Sequence, residues 1–184
     1  MSSATMDLAL ARNRDFAAAR RHEGVGMFPI STFLITCIDP RVDPAHILGV
    51  DLGEAIIVRN GGGRVTVETI ATVAFIAQVV EELAPNGAGF EIAVIHHTEC
   101  GAGFLADERF RERYAQRIGA EPADLLELAV VDPVATVTAD VEKLRAAAAI
   151  FPAVTVSGYV YDVKTGVVDT VVSATGGTAR DDAR

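Results

Sequence analysis

Short apolar runs, each closed by a polar, glycine or proline break, constrain this chain more than any other feature. Ser31–Ile38 (STFLITCI), Glu54–Arg59 (EAIIVR), Glu91–His97 (EIAVIHH) and Val154–Tyr161 are of strand length and largely apolar, so each reads as a strand. Longer segments lie between them. Val65–Ala84, Phe104–Ile118 and Asp132–Ile150 read as helices, with Pro133 suited to the first turn of the last. Pro44–Leu48 has room for one helical turn, and Pro85–Gly89 reads as a turn. Strands alternating with helices predict an α/β fold with a mainly parallel central sheet and flanking helices. Val163-Lys164-Thr165-Gly166 turns the fourth run back into Val167–Val172, which predicts one antiparallel edge strand. Met6–Arg21, rich in Ala and Arg, predicts an N-terminal helical arm. The expected organisation is an arm over 1–30, one α/β domain over 31–172, and a small, polar tail over 173–184 that frays.

Composition narrows the function classes. The chain has 184 residues, enough for one domain. It carries 16 basic against 25 acidic residues, a net charge of −9, and no basic run longer than the interrupted Arg12–Arg21. A nucleic-acid partner is therefore not expected. Half the residues are hydrophobic and the mean hydropathy is +0.30, which excludes disorder as the general state and hints at an assembly. The most apolar helical stretch, Val65–Ala84, contains Glu68, Gln78, Glu81 and Glu82, so no membrane span is expected. Met1–Arg21 has no apolar core of a secretory signal, and the expected compartment is cytoplasmic.

In a parallel α/β sheet, ligands gather beyond the carboxyl ends of the strands. The reactive residues of this chain fall there: Cys37–Arg41, Asn60–Gly63 and His97–Gly101. His97 and Cys100 stand three apart, a workable spacing for two ligands of one metal. If the first and third strands lie close together, Cys37 joins them. Two thiolates and an imidazole favour zinc over magnesium or calcium, and three protein ligands leave a fourth position open for chemistry. Neither His22 nor His46 is an obvious fourth ligand, and strand alternation turns His96 away from His97. Asp39, two residues beyond Cys37, can reach the open position, and Arg41 can hold that carboxylate in a bidentate pair. Taken singly, each feature has a plain alternative: core cysteines, a hydrogen-bonding histidine at a strand end, a surface ion pair in a turn. In an oxidising compartment the two cysteines could instead form a disulfide.

The two-part pattern, Cys37-x-Asp39-x-Arg41 followed by His97-x-x-Cys100-Gly101, resembles the β-class carbonic anhydrases. The likeness runs from about Ser31 to Gly103 and includes Val58-Arg59-Asn60-Gly61-Gly62. The resemblance implies zinc held by Cys37, His97 and Cys100, with Asp39 and Arg41 as a catalytic dyad beside it. It implies hydration of carbon dioxide to bicarbonate by a zinc-bound hydroxide, which Asp39 would orient while Arg41 fixes Asp39. At lower pH Asp39 would leave Arg41 and close the open position. It also implies a homodimer or a higher assembly of dimers, with the N-terminal helix reaching across to a partner. Two departures are visible. Pro40 stands where the family more often has Ser, and Gly24–Ile30 lacks the Gln that many members place before the first strand.

Three other functions compete. Some proteins similar to this family hydrolyse carbonyl sulfide, a linear relative of carbon dioxide, at the same kind of site. A nucleotide-binding module is half-suggested by Gly61-Gly62-Gly63 between a strand and a helix, but position 66 is Thr and the acids Glu81 and Glu82 lie within the helix. A zinc or redox protein without turnover would leave Asp39 and Arg41 idle. For Gly61–Gly63 the plain reading is a turn needing positive φ, and the functional one is close approach of backbone to the pocket.

Overall fold

A computed structural model describes residues 3–26, 32–83, 91–147 and 154–176. Five strands form one sheet: β1 (Thr32–Cys37), β2 (Ala55–Asn60), β3 (Glu91–His97), β4 (Thr155–Tyr161) and β5 (Val168–Gly176). The order across the sheet is β2-β1-β3-β4-β5. The first four strands run parallel, and β5 is antiparallel to β4. This is the expected mainly parallel α/β architecture with one antiparallel edge strand.

The helices are α1 (Ser3–Ala18), α2 (Pro44–Ile47), α3 (Val67–Leu83), α4 (Glu108–Ile118), α5 (Pro122–Leu126) and α6 (Pro133–Ala146). Local chemistry sets their starts. The Asp132 carboxylate accepts the N–H groups of Val134 and Ala135, with Pro133 next to it in the first turn of α6. Asp107 does the same for α4 through Phe110 N–H. That cap corrects the single helix expected over Phe104–Ile118, because Asp107 sits outside helical φ/ψ and divides a tight 3₁₀ turn, Gly101–Ala106, from α4. The short α5 carried no periodic signal. Ser173–Gly176 belong to β5, where Thr175 and Gly176 pair with Val156 and Thr155 of β4. The turn expected over Pro85–Gly89, the ends of two helices at Ala84 and at 148–150, and residues 177–184 lie outside the described residues.

Alternation along the strands divides the core. Phe33, Ile35, Ile92, Val94, Val156 and Val160 pack against Val73 and Ala77 of α3 and Val137, Val141 and Leu144 of α6. Leu34, Ala93 and Ile95 fill the opposite face with Val50, Tyr159 and Tyr161. The chain leaves β1 to build β2 on one side, then returns to build β3 on the other. The strand order therefore reverses at β1, and the crevice beyond the ends of β1 and β3 is the topological switch point of the sheet.

Candidate metal centre

β1 and β3 are hydrogen-bonded neighbours, so their last residues emerge side by side. β1 ends on Cys37, 4% exposed, and β3 ends on His97, fully buried. Cys100 follows three residues later in the loop Thr98–Cys100. That loop is tied to the end of β4: Thr98 N–H donates to Tyr161 O at 3.0 Å, and Val163 N–H donates to Thr98 Oγ1 at 3.0 Å. Glu99 takes a left-handed φ of 55° to turn Cys100 back toward the crevice. One donor atom each from Cys37, His97 and Cys100 lies within 4.8 Å of the others.

The details fit a metal ion. The two sulfurs are 3.9 Å apart and unbonded. Two thiolates on a tetrahedral zinc at about 2.3 Å each would sit roughly 3.8 Å apart. His97 Nδ1 donates to Thr98 O at 2.9 Å, which leaves the lone pair on Nε2. That Nε2 is buried and has no hydrogen-bond partner among the described residues. A buried ring nitrogen without a partner is costly, and an ion between it and the two sulfurs removes the cost. The thiols are unequal. Cys37 is strongly acidified because Cys100 donates to it, helped by the N–H groups of Asp39 and Gly62. Cys100 is pushed up in turn by sharing that proton with Cys37.

Asp39 and Arg41 stand beside this triad. Arg41 donates through Nε to Asp39 Oδ1 at 3.0 Å and through Nη2 to Oδ2 at 2.7 Å, and its N–H adds a third bond at 2.9 Å. The Arg41 side chain thus holds the Asp39 carboxyl down to about 2, so it is anionic at any working pH. Asp39 Oδ2 is 4.0 Å from His97 Nε2. The pair is bidentate.

Arg59 is a site residue that the sequence reading left without a role. It donates to Cys37 O at 3.0 Å, to Asp39 O at 2.8 Å and to the Asp43 carboxylate at 2.8 Å, and so pins the loop from Cys37 to α2. A lone cation closing an apolar strand was the available signal. The glycine turn Gly61–Gly63 does approach the centre closely, at φ of 84° for Gly62 and 68° for Gly63. His96 points away from His97, as alternation predicted. A cavity of about 620 Å³ is lined by Cys37 and Asp39, by apolar residues such as Val58, Leu105, Phe110 and Leu125, and by polar ones such as Thr66 and Glu68.

Fold, triad and dyad together define a sheet enzyme scaffold with a candidate Cys₂His metal centre, and comparison with known proteins gives it a family. The family model for carbonic anhydrase matches residues 32–118. A carbonic anhydrase structure from Streptococcus mutans superposes with a TM-score of 0.74 at 30% identity, covering 93% of this chain and 99% of that one. β-Carbonic anhydrase 1 of Mycobacterium tuberculosis is 28% identical over 164 residues, 88% of this chain and 94% of its own. A carbon disulfide hydrolase of an Acidianus species is 29% identical over 192 residues, 90% and 88% of the two chains. The chain belongs to the β-carbonic anhydrase family.

Proposed function

We propose that this protein is a zinc-dependent carbonic anhydrase that interconverts carbon dioxide and water with bicarbonate and a proton. The observation that carries the reading is the buried His97 Nε2, without a hydrogen-bond partner among the described residues, grouped with two sulfurs 3.9 Å apart and with the Asp39–Arg41 pair alongside. Cys37, His97 and Cys100 would hold zinc, which when bound supplies a Lewis acid that makes water nucleophilic near neutral pH. The residues do the rest. Asp39 can only accept hydrogen bonds, so it orients the hydrogen of the attacking group and turns a lone pair to the substrate carbon. Arg41 keeps Asp39 ionised and in place. The apolar walls suit a small, uncharged, linear substrate.

Zinc content and stopped-flow hydration test this together. One zinc per chain with turnover is expected, and Cys37→Ser should lose both. An active zinc-free protein would overturn the reading. A second reaction has support from the Acidianus relative's activity and from the aliphatic and aromatic cavity wall: hydrolysis of carbonyl sulfide to carbon dioxide and hydrogen sulfide, or of carbon disulfide. Comparing kcat/KM on the oxygen and sulfur substrates decides between them.

The same reading includes a homo-oligomer built of dimers. Val67 and Phe75 on one face of α3 are 78% and 65% exposed, and Ile38 at the cavity mouth is 61% exposed. α1, the expected arm, lies almost wholly in solvent, as an arm awaiting a partner subunit would. The two unbonded cysteines suit a reducing compartment such as the cytoplasm. No described helix is long and apolar enough to cross a membrane.

A further inference from the structure

A second polar cluster lies behind the candidate metal centre, and the chemistry above does not use it. Asp140 of α6 is fully buried. Its carboxylate accepts from Arg64 Nε at 2.6 Å, Arg64 Nη2 at 3.0 Å and Val65 N–H at 3.0 Å, with Lys143 Nζ also 3.0 Å away. Arg64 spends its remaining nitrogen on Glu127 O and Ala129 O. His96 is fully buried as well. Its Nε2 faces two acceptors, Gly63 O at 3.2 Å and Asp140 Oδ2 at 3.4 Å, so the proton sits there. Its Nδ1 is hydrogen-bonded to Thr136 Oγ1 at 2.8 Å, a hydroxyl that also lies 3.0 Å from Asp132 O.

Buried ionic groups are a poor route to stability alone, since apolar residues of similar volume often do as well. What this cluster grips is informative. His96 takes Gly63 O, and Asp140 takes the N–H and side chain that follow. Between them they clamp the turn Gly61–Gly63. The turn is a wedge: a Cβ on Gly63 would lie 2.9 Å from Thr36 C and 3.0 Å from Cys37 N, and one on Gly62 would lie 3.1 Å from Ala102 Cβ. One side of the wedge therefore touches the strand end that carries Cys37. The other touches the turn that begins directly after Cys100.

We propose that His96 and Asp140 are positioning residues that clamp the Gly61–Gly63 wedge and so set the separation of the Cys37 and Cys100 sulfurs. Neither touches the ion or the substrate. The proposal rests on the zinc reading above and deepens it. Close-packed contacts transmit a shift of the wedge to both sulfurs, so the quantity that responds is metal affinity.

The test uses the full chain and zinc itself. Zinc affinity is measured by competition with a chromophoric chelator, alongside the Tm of the metal-free protein, for the unaltered chain, His96→Leu, His96→Gln and Thr136→Val. His96→Leu should weaken zinc about 10- to 100-fold. His96→Gln should recover most of that, because its carboxamide still donates to Gly63 O. Thr136→Val should weaken zinc in the same direction by less. A purely structural role predicts a lower Tm with unchanged zinc affinity, and that result overturns the proposal, as does equal behaviour of the Leu and Gln variants. Should His96→Leu fail to fold, unchanged affinity in Thr136→Val overturns it. An unaltered chain that takes up no zinc removes the metal reading and this proposal together. Tight zinc without hydration removes only the reaction.

Discussion

Arg41 joins both halves of the motif through one side chain. Besides gripping Asp39, its Nη2 donates to Glu99 O at 3.1 Å, on the loop between His97 and Cys100. Glu99 in turn pairs with Lys164 at 2.8 Å. A lysine at position 41 would keep a charge but lose the planar fork. Arg41→Lys should therefore retain zinc while kcat/KM falls about 100-fold, because Asp39 is no longer aimed. Zinc analysis with stopped-flow hydration checks this, and loss of zinc in the variant would show that Arg41 supports the ligands instead. The exposed Glu99–Lys164 pair should matter little by comparison, and Lys164→Ala should change Tm by less than about 2 °C.

At the scale of elements, the glycine turn and α6 carry the mechanical load. Gly63→Ala places a methyl against backbone at a left-handed φ, and should destabilise by about 2–4 kcal/mol. Gly61 has nothing within 4 Å of its would-be Cβ, so Gly61→Ala should stay within about 0.5 kcal/mol. Denaturant titration of the pair separates the two positions. Asp140 links α6 to this turn, and its charge sets a pH dependence. Burial alone would raise its pKa, but hydrogen bonds from His96, Arg64 and the Val65 N–H outweigh burial and hold it well below the ordinary carboxylate range. A carboxyl lowered on folding stabilises fully above its unfolded value of about 3.9, and that stabilisation is lost as pH falls toward the folded value. The native protein should lose stability steadily below about pH 4, and Asp140→Asn should flatten that acid limb while lowering stability at pH 7. Tm measured from pH 3 to pH 7 checks both signs.

The whole molecule presents an apolar surface that a lone subunit leaves in water. Val67, Phe75, Ile38, Phe104 and Val131 are each more than 60% exposed. Sedimentation should find an assembly larger than 19.4 kDa, and Phe75→Glu should shift it toward monomer. Much of this architecture was legible in the chain. Strand positions, the parallel sheet, the antiparallel edge and Pro133 in the first turn of α6 followed from periodicity, Gly and Pro, because those signals act over a few residues. The Asp107 break, α5 and the full length of β5 did not, since a capping geometry or a cross-strand partner decided them.

The site divides along the same line. Cys37, Asp39 and Arg41 lie within five residues, and His97 and Cys100 within four, so short-range spacing at strand ends was enough to pick them out. Arg59, Arg64, His96 and Asp140 were invisible as a group, since Arg64 and Asp140 meet across 76 positions and each alone resembles an ordinary charged residue. The sequence by itself determined which side chains could bind a metal and on which kind of sheet they would stand. Only the tertiary structure decided that β1 and β3 are neighbours, that the buried His97 Nε2 has no hydrogen-bond partner among the described residues, and that a buried polar cluster around Asp140 sits behind them. Those are properties of distance in space, and a chain specifies them only once its core has packed.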